Sequence, residues 1–286
     1  MSLTHRNVGR RGFLGLAGAS GAAALATAAG PVFADEVARR PHRVVVFTRT
    51  AGFRHNSITV AIATLKELGA ANGIEVVATE DPAFFTPEQL RTLTAVVFAN
   101  TTGNVLTDPG RAALQDFVTA GGGWMGVHAA ADTEYDWPFY TELLSGGRFL
   151  CHPLLNQRAT LVRESATHVS TAHLPERWTI PTEEYYSFKT SVRGTAQVLL
   201  SIDEKTYLQD PNTSWIPSAS PPYLPTFVSG RMGDHPMCWQ RPVGNGLSWY
   251  TALGHIPALY SNPAYRQHLL GGLLRVSRHG RSRLPV

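Results

Sequence analysis

Apolar runs of strand length recur along this chain, and each gives out at a polar residue. Residues 43–48 (RVVVFT) lead into a glycine-bearing loop at 50–55. Residues 95–99 (AVVFA) end at Asn100, 124–127 (WMGV) end at His128, and 246–253 (GLSWYTAL) end at Gly254-His255. A continuous apolar run of this length fits a strand buried on both faces, which is the condition of a parallel sheet covered by helices. The segments between the runs supply those helices. Residues 57–68 carry apolar positions at helical spacing (Ile58, Ala61, Ile62, Leu65), and Thr86-Pro87-Glu88 is a helix start. Asp108-Pro109 opens a helix that Gly121-Gly122-Gly123 closes, and residues 263–276 read as a last helix. With a further short strand at 74–77, the alternation predicts an α/β fold built on a mostly parallel, doubly wound sheet. Ligands in such sheets bind beyond the carboxyl ends of the strands, so the loops at 50–56, 100–104 and 128–135 should line one crevice.

Past Pro153 the pattern loosens. Short strands are expected at 159–163, 184–188 and 197–202, then a Pro/Ser-rich insertion loop at 212–225, then a strand around Met237-Cys238-Trp239.

The composition of the 286 residues, 43% hydrophobic and 16% charged, is that of one globular domain with a sizeable core. Residues 1–34 read as an export signal to be removed. Arg6, Arg10 and Arg11 form a basic start, residues 13–29 a Gly/Ala/Leu stretch, and Val32-Phe33-Ala34 a cleavage site. Arg10-Arg11 followed by Gly12-Phe13-Leu14 resembles the twin-arginine signal, which implies an exported, periplasmic or extracellular protein. The apolar stretch is weakly hydrophobic for a bilayer span and stops at Pro31, so no stable membrane span is expected after cleavage. The remaining chain holds 22 basic and 21 acidic residues, without a basic cluster interleaved with aromatics, which excludes nucleic acid as a partner. Cys151 and Cys238 allow at most one disulfide; paired and free states both fit the sequence.

Titratable groups gather where strands end: Arg54-His55-Asn56-Ser57, His128 to Asp132, His152 with its neighbours, Glu183-Glu184-Tyr185, and Gly254-His255. His55, His128 and His255 each follow a separate strand at its carboxyl end, so the fold should bring them together. Asp234-His235-Pro236 reads as a turn at the rim.

These segments match a family. Residues 50–58 (TAGFRHNSI), 121–137 (GGGWMGVHAAADTEYDW), 146–153 (GGRFLCHP), 183–188 (EEYYSF) and 249–274 together resemble the ThuA-like, or trehalose-utilisation, domain family over residues 42–277. The resemblance implies a flavodoxin-like three-layer sandwich of the class I glutamine amidotransferase type. In that type a cysteine nucleophile sits on a strand-to-helix elbow. Here Gly126-Val127-His128 puts His128 at the elbow, and Pro257 stands two residues after His255 where the family triad has its acid, so thiol amide hydrolysis is excluded.

What remains is imidazole and carboxylate chemistry. His128 and His255, with Asp132 or Glu184 orienting a ring, suit proton abstraction beside a sugar carbonyl or acid/base cleavage of a glycosidic bond. A divalent metal held by some of His55, His128, His152, His255 and Glu184 is the other reading, although no short metal-binding motif marks it. His55, Asn56, His152, Tyr135, Trp137 and Tyr185 are the candidate substrate contacts. Of the nearby aromatics (Phe53, Tyr135, Trp137, Tyr185, Tyr186, Tyr260), two or three should face a ligand. The resemblance implies an enzyme acting on trehalose, a related disaccharide or a keto-sugar. The alternatives are a non-catalytic carbohydrate-binding module on a fold that has lost its nucleophile, and a structural or partner-binding domain.

Overall fold

The computed structural model describes residues 42–153, 155–210 and 229–283, so the signal at 1–34 and the insertion loop at 212–225 lie outside the described residues. In chain order the strands are β1 (His42–Phe47), β2 (Ile74–Thr79), β3 (Ala95–Ala99), β4 (Gly123–Val127), β5 (Phe149–Cys151), β6 (Gln157–Arg163), β7 (Arg177–Glu183), β8 (Ser187–Phe188), β9 (Gln197–Ile202), β10 (Pro236–Val243) and β11 (Gly246–Thr251). The helices are α1 (Ile58–Ala70), α2 (Pro87–Leu90), α3 (Asp108–Ala120), α4 (Pro138–Leu143) and α5 (Pro263–Arg283).

One nine-stranded sheet runs in the order β2-β1-β3-β4-β11-β10-β9-β6-β7. The first five strands are parallel, with Val44 opposite Ala95, and Gly123 flanked by Ala95 and Leu247. This is the flavodoxin-like order, in which the chain reverses direction across the sheet at β1/β3 and opens a crevice at their carboxyl ends. The runs predicted from sequence are these strands. Val44, Val45 and Val46 of β1 and all of β3 are fully buried, because helices cover both faces. Helix α5 lies very close to β4: a Cβ at Gly123 would collide with the Val276 carbonyl oxygen, so only glycine admits that packing. Threonine hydroxyls cap two of the helices, Thr86 accepting from the Gln89 N–H and Thr107 from the Gly110 N–H, each with proline in the first turn.

The other four strands extend the sheet antiparallel. Here the structure differs from the sequence expectation. The segment 184–188 is not one strand: β7 stops at Glu183, residues 184–186 leave the sheet, and only Ser187–Phe188 pair, with β5. Strand β7 lies at the edge of the sheet, where the missing N–H of Pro181 is tolerated. The last helix runs to Arg283, seven residues past the expected end at Val276.

A buried carboxylate fastens the crevice loops. Glu134, at φ +53°, accepts the N–H groups of Val105 and Leu106 at 2.7 Å each and pairs with Arg111 Nε at 2.7 Å, tying the loop after β3 to the loop after β4.

Candidate functional site

Three histidines leave the ends of β1, β4 and β11. His128 is the first residue after β4 and takes φ +48°, a left-handed conformation that costs a non-glycine residue about 1–3 kcal/mol and persists only when its surroundings enforce it. They do: its Nδ1 lies 2.8 Å from the Ala252 carbonyl oxygen, to which it donates, and the Tyr250 hydroxyl donates to its backbone oxygen at 2.8 Å. The elbow inferred from Gly126-Val127-His128 is therefore present, carrying an imidazole. His255 follows the turn at Gly254, whose φ of +127° suits glycine alone. Glu183, at the end of β7, holds that turn. Its carboxylate accepts the backbone N–H groups of Glu184 (2.8 Å), His255 (3.0 Å), Gly254 (3.3 Å) and Ile256 (3.5 Å). Burial pushes the Glu183 carboxyl above the ordinary range.

The departure of the chain from β7 delivers Glu184 to the histidines. Its Oε2 lies 3.3 Å from His128 Nε2 and 3.2 Å from His255 Nδ1, and those two nitrogens are 3.3 Å apart. Its Oε1 lies 3.1 Å from His152 Nδ1. The His55 ring stands edge-on to His128 and His255, with centroids 4.9 and 5.2 Å away, and its buried Nδ1 has no hydrogen-bond partner among the described residues. One donor atom from each of His55, His128, Glu184 and His255 falls within 4.8 Å of the other three. Among the described residues, these four are the set able to hold a metal.

The electrostatics follow from crowding in a dry place. Burial would raise the Glu184 carboxyl, but hydrogen bonds from His128 and His255 and the charges of His128 and His152 outweigh it and hold the carboxyl well below the usual range. Burial first, then neighbouring His128 and His255, lowers His55 to about 3. Burial opposes the charge on His255 too, yet the hydrogen bond and charge of Glu184, with Glu183 behind, raise it.

The remaining predicted residues divide. His152 joins the set through Glu184 and stacks on Tyr186, whose ring also lies 4.3 Å from His128. Burial raises the Asp132 carboxyl, against the opposing influence of Tyr135 and of the positive charges of Arg148, His152 and Lys189 nearby. Asp132 stands on the His152 side rather than in the four-residue set. Asn56 is exposed beside His55. Phe53 (67% exposed), edge-on to His55 at 4.8 Å, and Tyr135 (50% exposed) are the aromatics on the surface. Trp137 packs against Phe139 and Tyr140, Tyr185 is buried against Tyr207, and Tyr260 is buried with its hydroxyl donating to Gly254 O. Cys151 and Cys238 are both free thiols, and neither lies at the elbow.

With this geometry in hand, the comparison with known families is decisive. The sequence model of ThuA, described as trehalose utilisation, matches residues 43–274. The chain belongs to the ThuA family. A ThuA-like protein of Bacteroides uniformis superposes with a TM-score of 0.66 at 22% identity, covering 83% of this chain and 92% of that one. A ThuA-like protein of Parabacteroides merdae gives 0.61 at 17% identity, over 86% and 92%. A β-galactosidase of Bacillus circulans sp. alkalophilus gives 0.50 at 13% identity, over 85% of this chain but 32% of that one. These likenesses show the fold. No curated protein matches the sequence. Among the described residues of this ThuA-family chain, no helix is long and apolar enough to cross a membrane.

Proposed function

We propose that this ThuA-family protein is an exported enzyme that converts a carbohydrate, such as trehalose, a related disaccharide or a keto-sugar, by acid/base chemistry around Glu184. The observation that carries the reading is the meeting of His128 Nε2, His255 Nδ1 and Glu184 Oε2 within 3.3 Å of one another, at the strand ends where such folds bind ligands. Buried groups of this kind, strained at His128 and shifted at His55, Glu184 and His255, are characteristic of reaction centres rather than of cores. The family's connection with trehalose utilisation supports the substrate class. Phe53 and Tyr135, exposed rings at the edge of the set, suit the apolar faces of a sugar, and Asn56, His152 and Asp132 offer donors and acceptors for its hydroxyls. Residues 1–34, with the Arg10-Arg11 pair, support export.

The competing reading is a carbohydrate-binding module, favoured by the elbow's lack of a nucleophile. Incubating the purified protein with trehalose, other disaccharides and their keto derivatives, and following products by mass spectrometry, separates the two. A product whose formation falls at least about 100-fold in His255→Ala supports the enzyme. Saturable binding of a sugar that is returned unchanged supports the module.

A further inference from the structure

We propose that His55, His128, His255 and Glu184 bind one divalent transition-metal ion of the zinc type. The inference does not depend on the sugar reading, but it concerns the same donor atoms, which in holding an ion would act as ligands while acid/base work passes to the groups beside them.

Their spacing is the first reason. His128 Nε2, His255 Nδ1 and Glu184 Oε2 form a triangle with sides of 3.3, 3.2 and 3.3 Å. Ligands bonded to zinc at about 2.0–2.1 Å in a tetrahedron stand about 3.3–3.4 Å from one another, so the triangle has the size of one tetrahedral face. His55 completes the set within 4.8 Å and keeps a buried ring nitrogen that nothing among the described residues satisfies.

The tautomer of His128 is the second reason. Its Nδ1 must donate to the Ala252 carbonyl oxygen, since a carbonyl only accepts, so in the neutral ring Nε2 bears a lone pair. That lone pair faces Glu184 Oε2, an acceptor, across 3.3 Å. Two such groups at that distance in a buried site need a cation between them, either a proton on the ring or a metal ion, and metal content separates the two. A ring N–H given to a backbone carbonyl, with the other nitrogen turned to the centre, is also how metal-bound histidines are oriented. The outer contacts agree: His152 Nδ1, which donates to the Pro153 carbonyl oxygen at 2.7 Å, stands 3.1 Å from the second oxygen of Glu184, and Glu183 fixes the backbone that carries His255.

Three imidazoles and one carboxylate select a borderline ion such as zinc over magnesium or calcium, which prefer all-oxygen sites. An ion held there would supply Lewis-acid polarisation of a bound oxygen. Proton handling would then fall to His152 and Asp132, beside the set and outside it.

The test is metal content of the full chain purified without chelator, measured by plasma mass spectrometry, with cobalt added to the demetallated protein as a spectroscopic probe. Close to one equivalent is expected in the unmodified protein and less than about a tenth in Glu184→Gln and His255→Ala, both checked for folding by circular dichroism. Asp132→Asn and His268→Gln should keep the ion. One equivalent of cobalt should give the visible absorption of a four-coordinate site. A folded, metal-free protein that shows no such band, or ligand variants that retain the ion in full, would overturn the proposal.

Discussion

Two sets of buried histidine flank the end of β11, one residue apart in their attachment. Thr251, its last residue, receives His268 of α5: the Nε2 lies 3.1 Å from the Thr251 hydroxyl, and the Nδ1 lies 2.8 Å from the Ser170 carbonyl oxygen. Trp249 packs on that ring with centroids 5.1 Å apart. The next residue, Ala252, receives His128. Both rings are fully buried, so burial does not distinguish them. The His268 ring has both nitrogens satisfied within the protein and is a structural residue. The other set is left open, with imidazole nitrogens converging on one carboxylate and His55 Nδ1 lacking a hydrogen-bond partner among the described residues. A buried histidine whose hydrogen bonds close on the protein stabilises the fold, and a set whose lone pairs converge is available for chemistry.

The contrast is broken most directly by exchanging single groups. Glu184→Gln removes the charge on which three histidines converge, and sugar turnover should fall about 1,000-fold while circular dichroism shows the fold retained. His268→Gln should do the reverse, costing about 1–3 kcal/mol in denaturant unfolding through lost buried hydrogen bonds, with turnover per folded molecule unchanged. An intermediate effect is expected of Glu183→Ala. It leaves the N–H groups of Glu184, Gly254, His255 and Ile256 without their acceptor, so turnover should drop about 10- to 100-fold along with some stability, a split readable from kcat and melting together.

Acidification sharpens the contrast further. Burial, then the charges of His173 and His168, lowers His268 to about 3. Between an unfolded value near 6.5 and that folded value, the unfolded chain binds the extra proton. Stability from this residue is therefore intact above about pH 6.5 and lost as pH falls toward 3, by up to about 1.4 kcal/mol per pH unit. Unfolding free energies measured from pH 7 to 4 should decline less steeply in His268→Gln than in the parent; parallel curves would contradict the assignment. The smallest effect is expected from Cys151→Ser, less than twofold in turnover, since the half-buried thiol lies outside the set.

The parallel half of the molecule was legible because strands β1, β3, β4 and β11 are buried on both faces and write themselves as unbroken apolar runs. Strand β7 was not. Arg177–Glu183 offers no unbroken apolar run, only single buried residues set among exposed ones, and it carries Pro181, which an edge strand tolerates. Strands β5 and β8, at three and two residues, carry no periodicity to read. In the site, His55, His128 and His255 could be found because the strand ends announce them. Glu184 was found as a residue, but its placement depends on the chain leaving β7 one position earlier, where a continuous strand had been expected. Glu183 was missed in its role, since it acts on backbone N–H groups 71 to 73 residues away, which no local motif records.

Four side chains from four separate segments make one centre. An anomalous difference map at the zinc absorption edge, from a crystal grown without chelator, tests it at the atoms concerned. A single peak is expected, bonded at about 2.0–2.2 Å to His55, His128, His255 and Glu184. A featureless map, with those side chains ordered and the protein still turning over sugar, would contradict it.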